Sequence, residues 1–511
     1  GALYANTTGS NNTASGHGTL YNNTTGDRNI ASGYGALYTN TTGDYNTASG
    51  YGALYKNTTA DNNTASGYQA LYANTTGSNN TASGYQSLYS NTTGATNTAV
   101  GRYSLWKNQT GHANTAFGDF AMKQFRVDGS TYNTAIGRSS QRGPNSDTEY
   151  YTGSYNTSVG SGSLKVITTG YGNTAVGYYS QYGNTITGFK NTSVGAHSME
   201  DIIGGQSNTG VGYESLNSLT NGDYNNAMGN RSLKNNTTGN YNTAVGNSSL
   251  RDNVSGNNNT AFGQASLQNT TASNNVAFGY QSALANTSGT RNIAIGYSAY
   301  DAADTEDDNL AIGYDALGGA IDGGEFNVAI GNYSLDANTV GDGNVAVGYE
   351  ALTANTQGVQ NVAVGQNALG ANTTGYKNMA FGGLALRSNT TGNYNTAIGH
   401  QSLDQNTSGH ENIAIGYQTA NYNQTASYNI AIGNDALGNN KTGARNIAIG
   451  HDALNGQLGF DEDDNLAIGY DALGGGLNGG EKNVAIGNYS LDANTSGDNN
   501  VAVGYQALTA N

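Results

Sequence analysis

The chain has no cysteine and a single proline, Pro144, in 511 residues. Without thiols, neither disulfides nor thiolate metal centres can brace the fold, so stability has to come from packing and hydrogen bonding. The near absence of proline excludes a proline-rich linker or tail. Charge is scarce too: 11% of residues are charged, and 19 basic against 35 acidic residues leave a formal charge of -16. That sign disfavours nucleic acid and anionic membrane, whose phosphates would be repelled, and leaves cations or neutral glycans as partners. No apolar run approaches the roughly 18 residues of a membrane-spanning helix. The six histidines, His17, His112, His197, His400, His410 and His451, form no pair at metal-ligating spacing. No nucleophile elbow or phosphate loop stands between a strand and a helix pattern, so the expectation is a protein that is not an enzyme.

What is abundant is glycine, 76 residues, and repetition. The segment NTASG at Asn12 to Gly16 returns at Asn46, Asn63 and Asn80, and as NIASG at Asn29, with a spacing of 17 residues. Equivalent glycines continue to Gly504, giving twenty-nine units. Seventeen residues are too few for a helical hairpin, and the β-branched residues, Gly and Asn oppose helix. Each unit therefore reads as one coil of an all-β parallel solenoid. In Asn292 to Gly296 (NIAIG), alternation places Ile293 and Ile295 on one face and Asn292, Ala294 and Gly296 on the other. The YxAL segment, as in Tyr349 to Leu352, reads as a second strand, and the NTTG stretch, as in Asn372 to Gly375, as a turn. A lone coil buries too little apolar surface to offset the ordering of its residues, so coil-to-coil ladders must carry the fold.

Three stretches are expected within one continuous solenoid. Residues 1–118 form regular coils rich in Tyr, Thr and Ser; residues 119–160 form two long coils with a protruding loop, QRGPNSDTEYY; residues 161–511 form regular coils with an Ile/Val core. The last stretch contains a nine-coil duplication: DNLAIGYDALGG at Asp308 recurs at Asp464, an offset of 156 residues. The chain opens and stops inside a repeat, which suggests a piece of a longer protein with its secretion signal, anchor or assembly domain elsewhere. The long coils read as a tolerated surface insertion.

The segments NVAIG at Asn327 to Gly331, NVAVG at Asn344 to Gly348 and NIAIG at Asn429 to Gly433 resemble the head repeats of trimeric autotransporter adhesins, the YadA-like heads. The longer ALxxNTTGxxN unit resembles repeats of bacterial and phage fibre proteins. The resemblance covers essentially the whole chain and implies a left-handed parallel β-roll, a homotrimer, and a place on a bacterial surface or a virion fibre. It implies no ligand residue. The first five coils depart from it, with Ser15, Ser32, Ser49, Ser66 and Ser83 where later coils have Val, Ile or Phe. A strand constrained on both faces also suggests a buried surface between subunits; the alternative is a single-chain solenoid whose small residues fill a narrow interior.

Four features are candidates for function. Tyrosines form two columns, Tyr21, Tyr38, Tyr55, Tyr72 and Tyr89 with Trp106, and Tyr34, Tyr51, Tyr68 and Tyr85. They stack on one another, seal a subunit contact or bind sugars. Asn6, Asn40, Asn74 and Asn389 begin Asn-Thr-Thr sequences that read as glycosylation sequons or as an Asn ladder. The acids Asp301, Asp304, Glu306, Asp307 and Asp308, echoed by Asp461, Glu462, Asp463 and Asp464, read as calcium ligands or as a solvated acidic surface. Regular threonines suggest ice binding, although Thr sits mainly in turns such as Thr24 and Thr25. The function expected from all of this is a structural, adhesive extracellular fibre that assembles with itself and contacts surface glycans or other cells. The alternatives are a phage-type tail fibre and an ice-binding solenoid.

Overall fold

Each repeat contributes one three-residue strand, from Thr13–Ser15 to Val501–Val503, and successive strands pair in parallel at equivalent residues, as Thr47–Ser49 does with Thr64–Ser66 and Val484–Ile486 with Val501–Val503. The computed structural model describes residues 1–125, 130–144, 152–183, 185–456, 463–475 and 479–509. They fall into two compact units, Gly1–Asn259 and Thr260–Asn511, each an all-β parallel solenoid with the 17-residue period of the sequence. No helix occurs among the described residues.

In the first unit, the register is set by identical residues: Thr47, Ala48 and Ser49 lie beside Thr64, Ala65 and Ser66. The strand ends at a glycine for a steric reason. Gly50 has φ +134°, and a Cβ there would lie 2.4 Å from the carbonyl oxygen of Gly67 in the next coil. Only hydrogen fits between the coils at this point.

The YxAL segment is not a second strand. It is a run of turns with left-handed backbone at alternate residues, such as Gly52 at φ 62° and Leu54 at φ 49°. Left-handed backbone at a leucine costs about 1–2 kcal/mol. The conformation nevertheless recurs because it does two things at once. Ala53 and Leu54 are adjacent and both fully buried, which the alternation of a strand forbids. The backbone groups still bond from coil to coil, Leu54 N–H to Ala70 O at 3.0 Å and Lys56 N–H to Tyr72 O at 3.0 Å.

The interior is narrow and lined by small and amide side chains. Ala48, Ala65 and Ala82 from the strand centres and Leu54, Leu71 and Leu88 from the turns are completely buried. Two buried asparagine ladders flank them. The Asn before each strand accepts the next coil's backbone, as Asn29 Oδ1 does from Asn46 N–H at 2.9 Å, and donates Nδ2 to a turn carbonyl, as Asn46 does to Ala60 O at 2.8 Å. The turn Asn bonds its counterpart, Asn40 Nδ2 to Asn23 Oδ1 at 2.7 Å. Buried polar groups are tolerable here because they find partners one coil away, with exceptions where a ladder lapses, such as Asn253 Oδ1, which is buried without a partner.

The second unit repeats this plan, with Ala294, Ala311 and Ala329 and Leu317, Leu335 and Leu352 inside. Its Ile and Val residues are not the core. Ile293 and Ile295 are 39% and 38% exposed while Ala294 between them is buried. Alternation therefore holds, but the small-residue face points inward, because a coil this narrow has room for Ala and not for Ile. Thirteen of the fifteen first strand positions in this unit, including Val345, Val362, Ile413 and Ile430, are aliphatic and outward-facing. In the first unit the same position is Thr in twelve of fourteen strands, so Thr47, Thr64, Thr81, Thr98 and Thr115 form a strand column and Thr is not confined to turns.

Of the second long coil, residues 137–144 stay in the solenoid: Gly143 and Pro144 are buried, and Gly143 N–H bonds Lys165 O at 2.7 Å. The rest of the expected protruding loop lies outside the described residues.

Candidate functional site

The repeat places the residue directly after each strand-end glycine and the one five positions after it on one lateral face. In the first unit this face carries both tyrosine columns. Tyr21, Tyr38, Tyr55, Tyr72 and Tyr89 stack with ring centroids 5.1 to 5.3 Å apart, and Trp106 continues the column at 6.4 Å. Tyr34, Tyr51, Tyr68 and Tyr85 stack at 5.2 Å, with His17 at the head. The rings are nearly parallel, so each covers its neighbour's face and no sugar can lie flat on one within the column. What the columns present is ring edges and hydroxyls. Burial and the neighbouring Tyr38 and Tyr72 push the Tyr55 phenol above its ordinary range, keeping it a neutral donor. Between the columns runs a groove of about 230 Å³ bounded by Tyr34, Tyr51, Gly52, Tyr55, Gln69 and Tyr72.

Further along the unit the same positions change chemistry. Arg138 follows Gly137 as Tyr34 follows Gly33, and Arg142 and Lys165 occupy the place of Tyr38. Arg138, Arg142 and Lys165 line a cavity of about 180 Å³ together with Ser139, Ser161, Gly162 and Tyr179. Sequence reasoning passed over these residues because net charge hides local charge. The signal was present: seven of the 19 Lys and Arg fall between residues 102 and 165.

The sequon asparagines belong to the ladders. Asn40, Asn74 and Asn389 are completely buried, and each donates Nδ2 to its counterpart asparagine and to a turn carbonyl three residues on. A glycan on that nitrogen and the folded coil exclude one another. Asn6, in the first coil, is exposed, yet it makes the same turn bond, Nδ2 to Gly9 O at 2.9 Å.

The described acidic residues engage arginines, backbone N–H groups and one another. Asp307 and Asp308 pair with Arg291, whose hydrogen bond holds the Asp308 carboxyl below its ordinary range. Asp463 and Asp464 pair with Arg445 in the same way. Glu306 is buried and accepts backbone N–H bonds from Asp304, Thr305 and Gly323, each at 3.1 Å. Asp304 bonds the Thr287 hydroxyl. Asp461 and Glu462 lie outside the described residues. Among the described residues no group of three acids or histidines is placed to hold a metal ion. Asp301 instead faces Asp315 and Asp336, and burial first, then mutual repulsion, pushes the Asp301 and Asp336 carboxyls up.

No protein-family model matches the chain, and the search of curated proteins gave no match either.

Proposed function

We propose that the chain is a segment of a structural, adhesive extracellular fibre that assembles with copies of itself. The observation that carries this reading is the outward sheet face of the second unit, where paired aliphatic columns such as Val345 with Val347 and Ile413 with Ile415 stand at the surface coil after coil. Apolar surface extended over many strands is costly in water and marks an interaction site. A second copy is the fitting occupant, because its own columns have the same spacing and the same lack of charge. The resemblance to trimeric adhesin heads supports a trimer at a bacterial surface; the fibre repeats it also resembles support a tail fibre. Light scattering tests assembly: a mass near three times 52.5 kDa is expected, and a mass near 52.5 kDa in solution would sink the reading.

A second reading, ice binding, has an observation of its own. The outward column Thr47, Thr64, Thr81, Thr98 and Thr115, with Ser49, Ser66 and Ser83 two residues on, is a regular array of hydroxyls and methyls on paired strands. Thermal hysteresis in a freezing assay supports it; its absence removes it.

A further inference from the structure

We infer that the lateral face of the first unit binds an acidic polysaccharide, with an oxyanion group held by Arg138, Arg142 and Lys165. The inference rests on the adhesive part of the proposed function and names its ligand class. The cavity is built from cations that are not otherwise engaged with acids: among the described residues none of the three pairs with a carboxylate, and the nearby Asp119 is taken by Arg102. Three cations without a carboxylate partner among the described residues, on one cavity of a chain with charge -16, leave strong local positive potential where long-range attraction is absent.

The side chains are also held in place. The Arg142 guanidinium lies over the Phe120 ring at 5.6 Å, and its Nε is buried with no hydrogen-bond partner. Lys165 lies over the Tyr182 ring at 4.4 Å and donates to its hydroxyl. Aromatic support of this kind fixes a guanidinium or ammonium while leaving its outer hydrogens free for an anion. Gly162 keeps the floor open, since a Cβ there would lie 2.6 Å from the Tyr179 ring. Ser139, Ser161 and Tyr179 add hydroxyls around the same space.

The ligand class follows from what flanks the cavity. In earlier coils the equivalent groove is walled by tyrosine edges and hydroxyls, which suit the hydroxyl-rich, uncharged stretches of a sugar chain. A polymer charged at every unit would be repelled by the acidic remainder of the molecule beyond this cationic stretch. The shared chemistry of the bound group is a carboxylate or sulfate oxyanion, which an arginine fork recognises with two parallel hydrogen bonds.

The test uses the full chain against immobilised dextran sparsely substituted with carboxymethyl groups, sparsely sulfated dextran, neutral dextran and single-stranded DNA. Binding to the carboxymethylated or the sulfated dextran and not to neutral dextran is expected, the two arms identifying carboxylate or sulfate. Arg138→Gln, Arg142→Gln and Lys165→Gln should each weaken it about tenfold, the loss of one charge-assisted hydrogen bond. Lys441→Gln, in the other unit, should leave it unchanged. Equal binding by the triple variant, or binding to DNA alone, would overturn the inference, as would no binding to any acidic sugar polymer. Unchanged melting of the triple variant establishes that folding is intact; if the triple variant misfolds, competition by inorganic sulfate against the wild type decides. The mass in solution is measured on the same samples, so failure of assembly and failure of glycan binding are separate results.

Discussion

The side-chain amide of Asn57 donates to Asn40 Oδ1 at 2.8 Å and to Ala60 O at 2.9 Å, while its own Oδ1 accepts from Asn74. One buried residue thus ties three successive coils and closes its own turn. Asn57→Ala should strand the amide of Asn74 and the carbonyl oxygen of Asn40, each at about 1–3 kcal/mol. The expected result is a clear drop in thermal midpoint, and an unchanged midpoint would mean that the ladder contributes little.

Two glycines two residues apart should behave differently. Gly50→Ala places a methyl against the Gly67 carbonyl at 2.4 Å in a backbone region closed to alanine, and the surrounding coils should fail to fold. Gly52 has φ +62° and its nearest neighbour would be 3.5 Å away, so Gly52→Ala should cost only about 1–2 kcal/mol. Circular dichroism and thermal melts of the pair separate a steric demand from a conformational one.

The outward aliphatics of the second unit can be altered without touching the core. Ile413→Asp with Ile430→Asp should leave the circular dichroism of the fold intact and reduce the mass by light scattering towards 52.5 kDa. Retention of the higher mass would place the contact elsewhere.

Glu214 gives a pH dependence with a definite sign. Burial alone would raise its carboxyl, but hydrogen bonds from Lys234, Tyr213 and Arg231 outweigh it and bring the group to about 2. A pKa lowered by folding stabilises above the ordinary carboxylate range of about 4.3 and is lost as pH falls towards the folded value. Glu214→Gln should therefore lower the melting temperature at neutral pH, with the difference shrinking through acid and vanishing near pH 2. A constant difference would show that packing, not charge, is responsible.

Asp315 has the opposite sign. Burial pushes its carboxyl up, and it raises its neighbours Asp301 and Asp336 in turn. A folded state that holds protons more readily loses stability as pH rises. Asp315→Asn should raise the melting temperature at neutral pH and have a smaller effect near pH 4, where the repulsion is already relieved by protonation.

The parallel solenoid, its period and the short strand were legible because the NxAxG pattern repeats the same physical demand in every coil. Which face is inside was not read correctly: Ile293 and Ile295 look like core residues until the narrowness of a one-strand coil is considered, and then only Ala294 fits. The YxAL turn was misread as a strand, although the adjacent buried pair, Ala53 and Leu54, breaks strand alternation and is visible in the sequence. Tyr55 was correctly placed in a column, but ring-on-ring coverage, which decides against stacking with sugars, depends on coil spacing. Arg138 and Arg142 come from the long coil between Gly137 and Gly160 and Lys165 from the regular coil after it, and the extra length of the first masks the register that brings them together.

The glycine ladder has an evolutionary consequence. Because the Gly50 position tolerates nothing larger and sits at the same point of every coil, gaining or losing a whole repeat restores all contacts, whereas a single added residue has to be taken up in the turns, as in the coil that still sets Leu310 beside Val328. Length in such a molecule is a quantity that mutation changes in discrete graduations, and the 156-residue duplication is one such step already taken.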